Sequence, residues 1–235
     1  MRFGDKAQAY DQNARIQTTI SNWLSEWLEH DGEGLDAFEF GAGTGGFTRY
    51  LEVIGFGSLV ATDISPRMIE VGRESYPKVD WRMANAWERQ TWSVDRIYSS
   101  NLLQWCPSPE DTLSQWKSNL KPGGRMLVSV FVAGSLKEFS AVDPSFNAFP
   151  WRSSEEWISL FEQTGWLVER WGVCEYVEEY ECARAALRSL HSLGAVEDRR
   201  KSFRELNRFL KACDRTVEGG VFPLSWKSLR IECAV

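Results

Sequence analysis

The sequence predicts an α/β protein, a doubly wound and mostly parallel sheet of seven strands that carries a helical lid. Three observations predict it. Strand-length apolar runs alternate with helix-period segments between residues 35 and 132, a pattern that places parallel strands in one sheet with right-handed crossovers. A glycine-rich turn, Gly41-Ala42-Gly43-Thr44-Gly45-Gly46, joins the first such strand to the first such helix. Beyond residue 132, two helix patterns fall between two strand patterns and so interrupt a closing antiparallel pair.

Each element has its own signal. Ile16, Ile20, Trp23, Leu24, Trp27 and Leu28 recur at helical spacing and predict an amphipathic helix over 16–30. The run 35–40 reads as a buried strand that ends at the glycine turn 41–46. A helix over 47–54 stops near Gly55 and Gly57. The second strand, 58–62, is closed by Asp63. Ser65 and Pro66 then open a helix, the serine as N-cap and the proline at the first helical position. The third and fourth strands cover 80–83 and 96–100. A helix over 110–120 stops at Lys121-Pro122-Gly123-Gly124, and the fifth strand covers 125–132. An irregular loop over 134–152 carries Gly134, Pro144 and Pro150. A helix over 154–164 ends at Gly165, followed by a strand over 166–177, helices over 181–193 and 202–213, and a last strand over 223–235. The expected organisation is one domain, 1–235, with an N-terminal helical cap over 1–30 and a lid drawn from 134–152 and 181–215.

Composition bounds the function. The chain has 235 residues, 43% hydrophobic and 26% charged, which suits a globular core and excludes collagen, a disulfide mini-protein and a disordered tail. A net charge of −6 argues against wholesale nucleic-acid binding. The five cysteines, Cys106, Cys174, Cys182, Cys213 and Cys233, form no CxxC pair and are odd in number, as expected of reduced thiols. With only His30 and His191 as histidines, no zinc site is expected. The first ten residues lack the apolar stretch of a signal peptide, and the longest apolar run, 126–133, is far short of a membrane span. The expectation is a cytoplasmic monomer with no metal and no membrane association.

Two cofactors compete for the glycine turn. Gly41, Gly43 and Gly46 satisfy G-x-G-x-x-G, and Asp63 lies twenty residues past Gly43, as a dinucleotide site requires. Three features favour S-adenosylmethionine. Glu39 stands two residues before the first glycine, where a carboxylate receives a methionine ammonium but gains nothing beside a pyrophosphate. Asp63 ends the second strand, where it accepts from ribose hydroxyls, and Asn85-Ala86 follows the third, where an acceptor reads the adenine amino group.

Glu39-Phe40-Gly41-Ala42-Gly43-Thr44-Gly45 resembles the acid-x-G-x-G-x-G pattern of class I S-adenosylmethionine-dependent methyltransferases, a Rossmann-like fold. The segment Asp63-Ile64-Ser65-Pro66-Arg67-Met68 is similar to that family's second-strand motif, and Asn85 departs from it where aspartate is usual. A narrower resemblance runs nearly end to end, to the malonyl-[acyl-carrier protein] O-methyltransferases of biotin synthesis. It rests on Ala9-Tyr10-Asp11 and Ala14-Arg15-Ile16-Gln17, on Ser100-Asn101-Leu102-Leu103-Gln104-Trp105-Cys106 and on Gly134-Ser135-Leu136. Further matches are Leu187-Arg188-Ser189-Leu190, Leu193-Gly194-Ala195 and Phe222-Pro223-Leu224-Ser225.

The resemblance implies that S-adenosylmethionine is converted to S-adenosylhomocysteine, with Gln17, Glu39, Gly41, Ala42, Gly43 and Asp63 as cofactor contacts, together with Ile64, Met68, Asn85, Ala86, Asn101 and Leu102. It implies as acceptor the free carboxylate of a malonyl thioester on acyl carrier protein, or on coenzyme A. A carboxylate is ionised at neutral pH and needs no general base, in keeping with the shortage of histidine. Methyl transfer asks instead for alignment and dryness. Arg188 is the first choice to hold the carboxylate, because a guanidinium binds it bidentately. Tyr10 and Gln17 are placed to close over the cofactor, Gln104 lies where the methyl points, and Trp105 walls the site.

The stretch 184–215 holds nine basic residues against four acidic ones. Arg204, Arg208, Lys211 and Arg215 share one helix face, and Phe203, Leu206 and Leu210 are expected to pack inward. Arg200, Lys201, Arg204, Arg208 and Lys211 are the expected docking residues for an acidic carrier protein, against the plainer reading of a solvated helix face. A methyltransferase of another small acid or quinone precursor, a non-catalytic cofactor-binding module and a nicotinamide dehydrogenase remain as alternatives. Of the twelve tryptophans, Trp23 and Trp27 are expected on the apolar stripe of the first helix and Trp116, Trp157, Trp166 and Trp171 in regular elements, most of them packed in the core.

Overall fold

The computed structural model describes residues 15–146, 151–192, 202–217 and 219–235. In chain order its elements are α1 (Arg15–Ser25), β1 (Asp36–Phe40), α2 (Thr48–Glu52), β2 (Ser58–Asp63), α3 (Pro66–Ser75), β3 (Asp80–Met83) and β4 (Val94–Ser100). There follow α4 (Pro109–Ser118), β5 (Leu120–Phe131), α5 (Lys137–Val142), α6 (Ser154–Gln163), β6 (Leu167–Tyr180), α7 (Ala183–Ser192), α8 (Phe203–Arg215) and β7 (Phe222–Ala234). The strands form one seven-stranded sheet in the order β3-β2-β1-β4-β5-β7-β6. The first five are mutually parallel, and β7 runs antiparallel between β5 and β6. The order turns back between β1 and β4, which opens a crevice at their C-terminal ends, where ligands of such sheets bind. No helix of the described residues is long and apolar enough to cross a membrane.

Local chemistry sets these elements. Ser65 caps α3 by accepting from the Met68 N–H, with Pro66 behind it. Ser153 and Glu156 form a reciprocal capping box on α6, as do Ser202 and Glu205 on α8. The core between sheet and helices is aromatic. Phe40 stacks on Trp116 at 4.4 Å with planes 4° apart, and Phe38 meets Trp92 at 4.4 Å. The buried indoles find acceptors: Trp116 Nε1 donates to the Ala86 carbonyl at 2.9 Å and Trp166 Nε1 to the Leu113 carbonyl at 3.2 Å.

Several expectations need correction. The first helix ends at Ser25 and gives way to turns rather than reaching residue 30. Trp23 and Trp27 leave its buried stripe. Their rings flank the Arg230 guanidinium at 4.2 and 4.1 Å, and Arg170 lies 4.5 Å over Trp27. The residues 121–124 do not simply stop a helix; they form a bulge inside β5. While β4 advances from Val94 to Arg96, its partner advances from Leu120 to Arg125. The loop over 134–152 contains α5, entered through Leu136 in the left-handed region at φ 57°. Trp171 lies on the edge strand β6 and is 54% exposed, and Phe203 is 75% exposed instead of packing inward.

The helices α7 and α8 do interrupt an antiparallel pair. β6 and β7 pair from Leu167↔Ala234 to Tyr180↔Phe222 on either side of them. Asp214 of α8 accepts from the Ala183 N–H at 2.7 Å and so caps α7. Leu187, Leu190, Phe209 and Leu210 form a second core with Ile16 and Ile20 of α1, Phe139 of α5 and Leu224 of β7.

Candidate active site

The crevice is built first from the loop after β1. Gly41 has φ +66°, and a Cβ there would lie 2.6 Å from the Leu102 side chain. Gly43 has φ +57° with open space beside it, so its backbone conformation alone calls for glycine. Ala42 donates its N–H to the Thr62 carbonyl at 2.8 Å, tying the loop to β2. Asp63 completes the clamp: Oδ2 accepts from the Gly43 N–H at 3.0 Å and Oδ1 from the Ser65 N–H at 2.8 Å. Burial pushes the Asp63 carboxyl up, opposed by those N–H bonds. Ile64 beside it is 65% exposed.

Glu39 lies beneath this loop, 1% exposed, accepting from the Thr48 hydroxyl at 2.6 Å. Burial pushes its carboxyl up to about 8, the Thr48 bond opposes this, and Asp63 adds a further push upward. At neutral pH Glu39 therefore carries a proton in the fold and none in the unfolded chain. Between about 4.5, its ordinary value, and about 8, the folded state holds the extra proton. This group's contribution to stability therefore falls as pH rises through that window. Melting curves from pH 5 to 8.5 should show a steeper fall for the natural chain than for Glu39→Gln. Equal slopes would mean that Glu39 is already ionised.

The loop after β4 supplies the opposite wall. Asn101 sits at φ 56°, its N–H bonded to the Ser129 carbonyl at 3.0 Å. Its Nδ2 donates to Ser100 Oγ at 3.1 Å, and its carbonyl accepts from Gln104 Nε2 at 2.7 Å. Of five side-chain amide oxygens that are buried without a hydrogen-bond partner among the described residues, Gln115 Oε1 and Asn119 Oδ1 lie elsewhere in the sequence, and three are Asn101 Oδ1, Gln104 Oε1 and Gln17 Oε1. Leaving such an acceptor unpaired costs about 1–3 kcal/mol. All three lie on residues that the sequence marks for the site, and all three offer only acceptance. They suit a ligand end rich in N–H donors.

The remaining candidates are placed as follows. Asn85 builds its own turn, accepting from the Trp87 N–H at 3.1 Å and donating to Glu88 at 2.9 Å. Ala86 is buried above Trp116, Leu102 packs against Gly41, and the Met68 side chain is buried. Trp105 faces Trp151 at 6.5 Å, Trp151 meets Phe131 edge-on at 6.5 Å, and Phe131 meets Trp226 at 4.9 Å. Arg188 is exposed on α7 and makes no ion pair among the described residues. Tyr10, Arg200 and Lys201 lie outside the described residues. Sequence reasoning missed Thr48, Phe131 and the serines Ser21, Ser100 and Ser129. The one available signal was Ser129, a polar residue inside the apolar run 126–133.

A parallel sheet in this order, with a glycine loop after β1 and an acid closing β2, defines the class I methyltransferase fold. A family model described as a methyltransferase domain matches residues 11–181. The chain is 34% identical over 144 residues to a malonyl-[acyl-carrier protein] O-methyltransferase of Erwinia pyrifoliae, covering 59% of this chain and 53% of that protein. It is 30% identical over 206 residues to the protein of that name from Alcanivorax borkumensis, covering 82% and 69%. The match thus spans about half the length of the Erwinia relative. A solved structure of a Bacillus halodurans protein described as a methyltransferase shares the fold with TM-score 0.67 at 14% identity, over 92% of this chain and 98% of that one. The chain belongs to the methyltransferase family, in the branch of the malonyl-[acyl-carrier protein] O-methyltransferases.

Proposed function

We propose that the protein transfers a methyl group from S-adenosylmethionine to the free carboxylate of a malonyl thioester on acyl carrier protein, giving the methyl ester used in pimeloyl and biotin synthesis. The observation that carries the cofactor half is the set of unpartnered amide oxygens on Gln17, Asn101 and Gln104. They fit the ammonium of the methionine end, which offers only donors. The acceptor half rests on the relatives' names.

When bound, S-adenosylmethionine supplies a methyl group made electrophilic by its sulfonium. The chain's residues hold and align it. Asp63, fixed by Gly43 and Ser65, takes the ribose hydroxyls with its remaining lone pairs. Ile64 offers an apolar face to the adenine, and Ala86 and Asn85 flank it. Gly41, Ala42 and Gly43 let the backbone come close, and Glu39 lies below as a latent anion. Trp105, Trp151 and Phe131 keep water from the transfer path. Arg188 on α7 draws in the substrate carboxylate. The helices α5, α7 and α8 act as the lid. Incubation with methyl-labelled cofactor should label malonyl carrier protein and leave acetyl carrier protein unlabelled. Equal labelling of both would refute the free-carboxylate assignment.

The exposed face of α8 presents Arg204, Arg208, Lys211 and Arg215, and it is the proposed docking surface for the acidic carrier. The double reversal Arg204→Glu and Arg208→Glu should raise KM for malonyl carrier protein about tenfold or more at low salt. Turnover of malonyl-coenzyme A should change little. Unaltered carrier-protein kinetics would remove α8 from the interface.

A further inference from the structure

We propose that Ser21, Ser100 and Ser129 are positioning residues, a hydroxyl chain that turns the Asn101 side-chain oxygen toward the amino-acid end of the cofactor and ties α1 to the same seat. The inference rests on the S-adenosylmethionine reading above. Ser100 and Ser129 face each other in register across β4 and β5. Their hydroxyls are 3.2 Å apart, and Ser21 of α1 approaches Ser100 at 3.3 Å. Ser21 is 3% exposed and Ser129 fully buried.

A serine hydroxyl has one donor and two acceptor positions. Ser100 has three partners for them: Ser21, Ser129 and the Asn101 Nδ2. Its capacity is filled, and the Asn101 amide nitrogen is committed to it. The amide oxygen is thereby turned the other way, where it meets no partner. Ser129 also accepts from the Asn101 N–H at 3.3 Å, which holds the left-handed backbone. The same logic repeats at Gln104, whose Nε2 is committed to the Asn101 carbonyl while its oxygen is left open. Gln17 stands one turn before Ser21 on the same face of α1. The chain of hydroxyls therefore connects two of the three open oxygens through bonded atoms and fixes the helix that bears the third. Were Ser100 apolar, the Asn101 amide would be free to turn over and present its NH2 group to a cation.

The test compares two ligands. S-adenosylhomocysteine carries the amino-acid end, whereas 5′-methylthioadenosine has the same nucleoside and thioether without it. Ser100→Ala should weaken S-adenosylhomocysteine binding about tenfold, the scale of one hydrogen bond to a charged group, and leave methylthioadenosine binding unchanged by calorimetry. Ser21→Ala, at the end of the chain, should shift the ratio in the same direction by less and serves if Ser100→Ala does not fold. A ratio of affinities equal to that of the natural chain, whether both fall together or neither moves, overturns the proposal. Equal binding of both ligands by the natural chain would instead overturn the assignment of the three oxygens to the ammonium.

Discussion

Asp63→Ala is expected to raise the dissociation constant for S-adenosylhomocysteine by at least about a hundredfold. A carboxylate that accepts two hydroxyls makes charge-assisted bonds of about 1.5–3 kcal/mol each, and every 1.4 kcal/mol is tenfold in affinity. The loss reaches further than the ribose. Asp63 also receives the N–H groups of Gly43 and Ser65, so removing it frees the glycine loop from β2 and the start of α3. Asp63→Asn keeps the shape and one acceptor, and should fall between the two. Calorimetric titration checks all three chains. Binding of the alanine variant within threefold of the natural chain would take the ribose assignment away from Asp63.

Trp116→Ala should be the most damaging single change to the fold. The ring is 1% exposed and stacked on Phe40, and removing such a side chain costs about 3–5 kcal/mol. The Ala86 carbonyl then loses its indole donor, which adds about 1 kcal/mol. For a chain of this size each kcal/mol moves the midpoint by about 2–4 °C, so Tm should fall by about 10 °C or more. Trp116→Phe keeps the stack, loses the N–H and should cost much less. If Ala86 flanks the adenine as proposed, the alanine variant should also bind cofactor poorly below its Tm. A melting point within a few degrees of the natural chain would show that the Phe40–Trp116 stack is not central to the fold.

What could be read from the sequence follows how local the cause is. The Ser65–Pro66 start of α3 and the bounds of β3 depend on neighbouring residues, and both appear where the pattern puts them. The glycine loop and Asp63 were legible because each follows its own strand. The serine chain was not, since Ser21 and Ser100 are 79 residues apart and each alone is an ordinary serine. Trp23 and Trp27 obey the helical period, but their partner Arg230 comes from β7, more than 200 residues on. The bulge at 121–124 carries the residues of a turn; only the pairing of Leu120 with Val94 shows that the strand has already begun. Phe203 follows the helical period, which does not say whether anything covers that face of α8.

The place of β7 bears on how the chain is made. It is the last of the described strands to be synthesised, yet it lies between β5 and β6. While a ribosome is still short of residue 222, β5 is an open edge carrying Leu127, Val128, Val130 and Phe131, and β6 has no strand to join. Such an edge is a template for aggregation. A chain that stops short of β7 therefore leaves the apolar edge of β5 unpaired and separates β6 from the rest of the sheet.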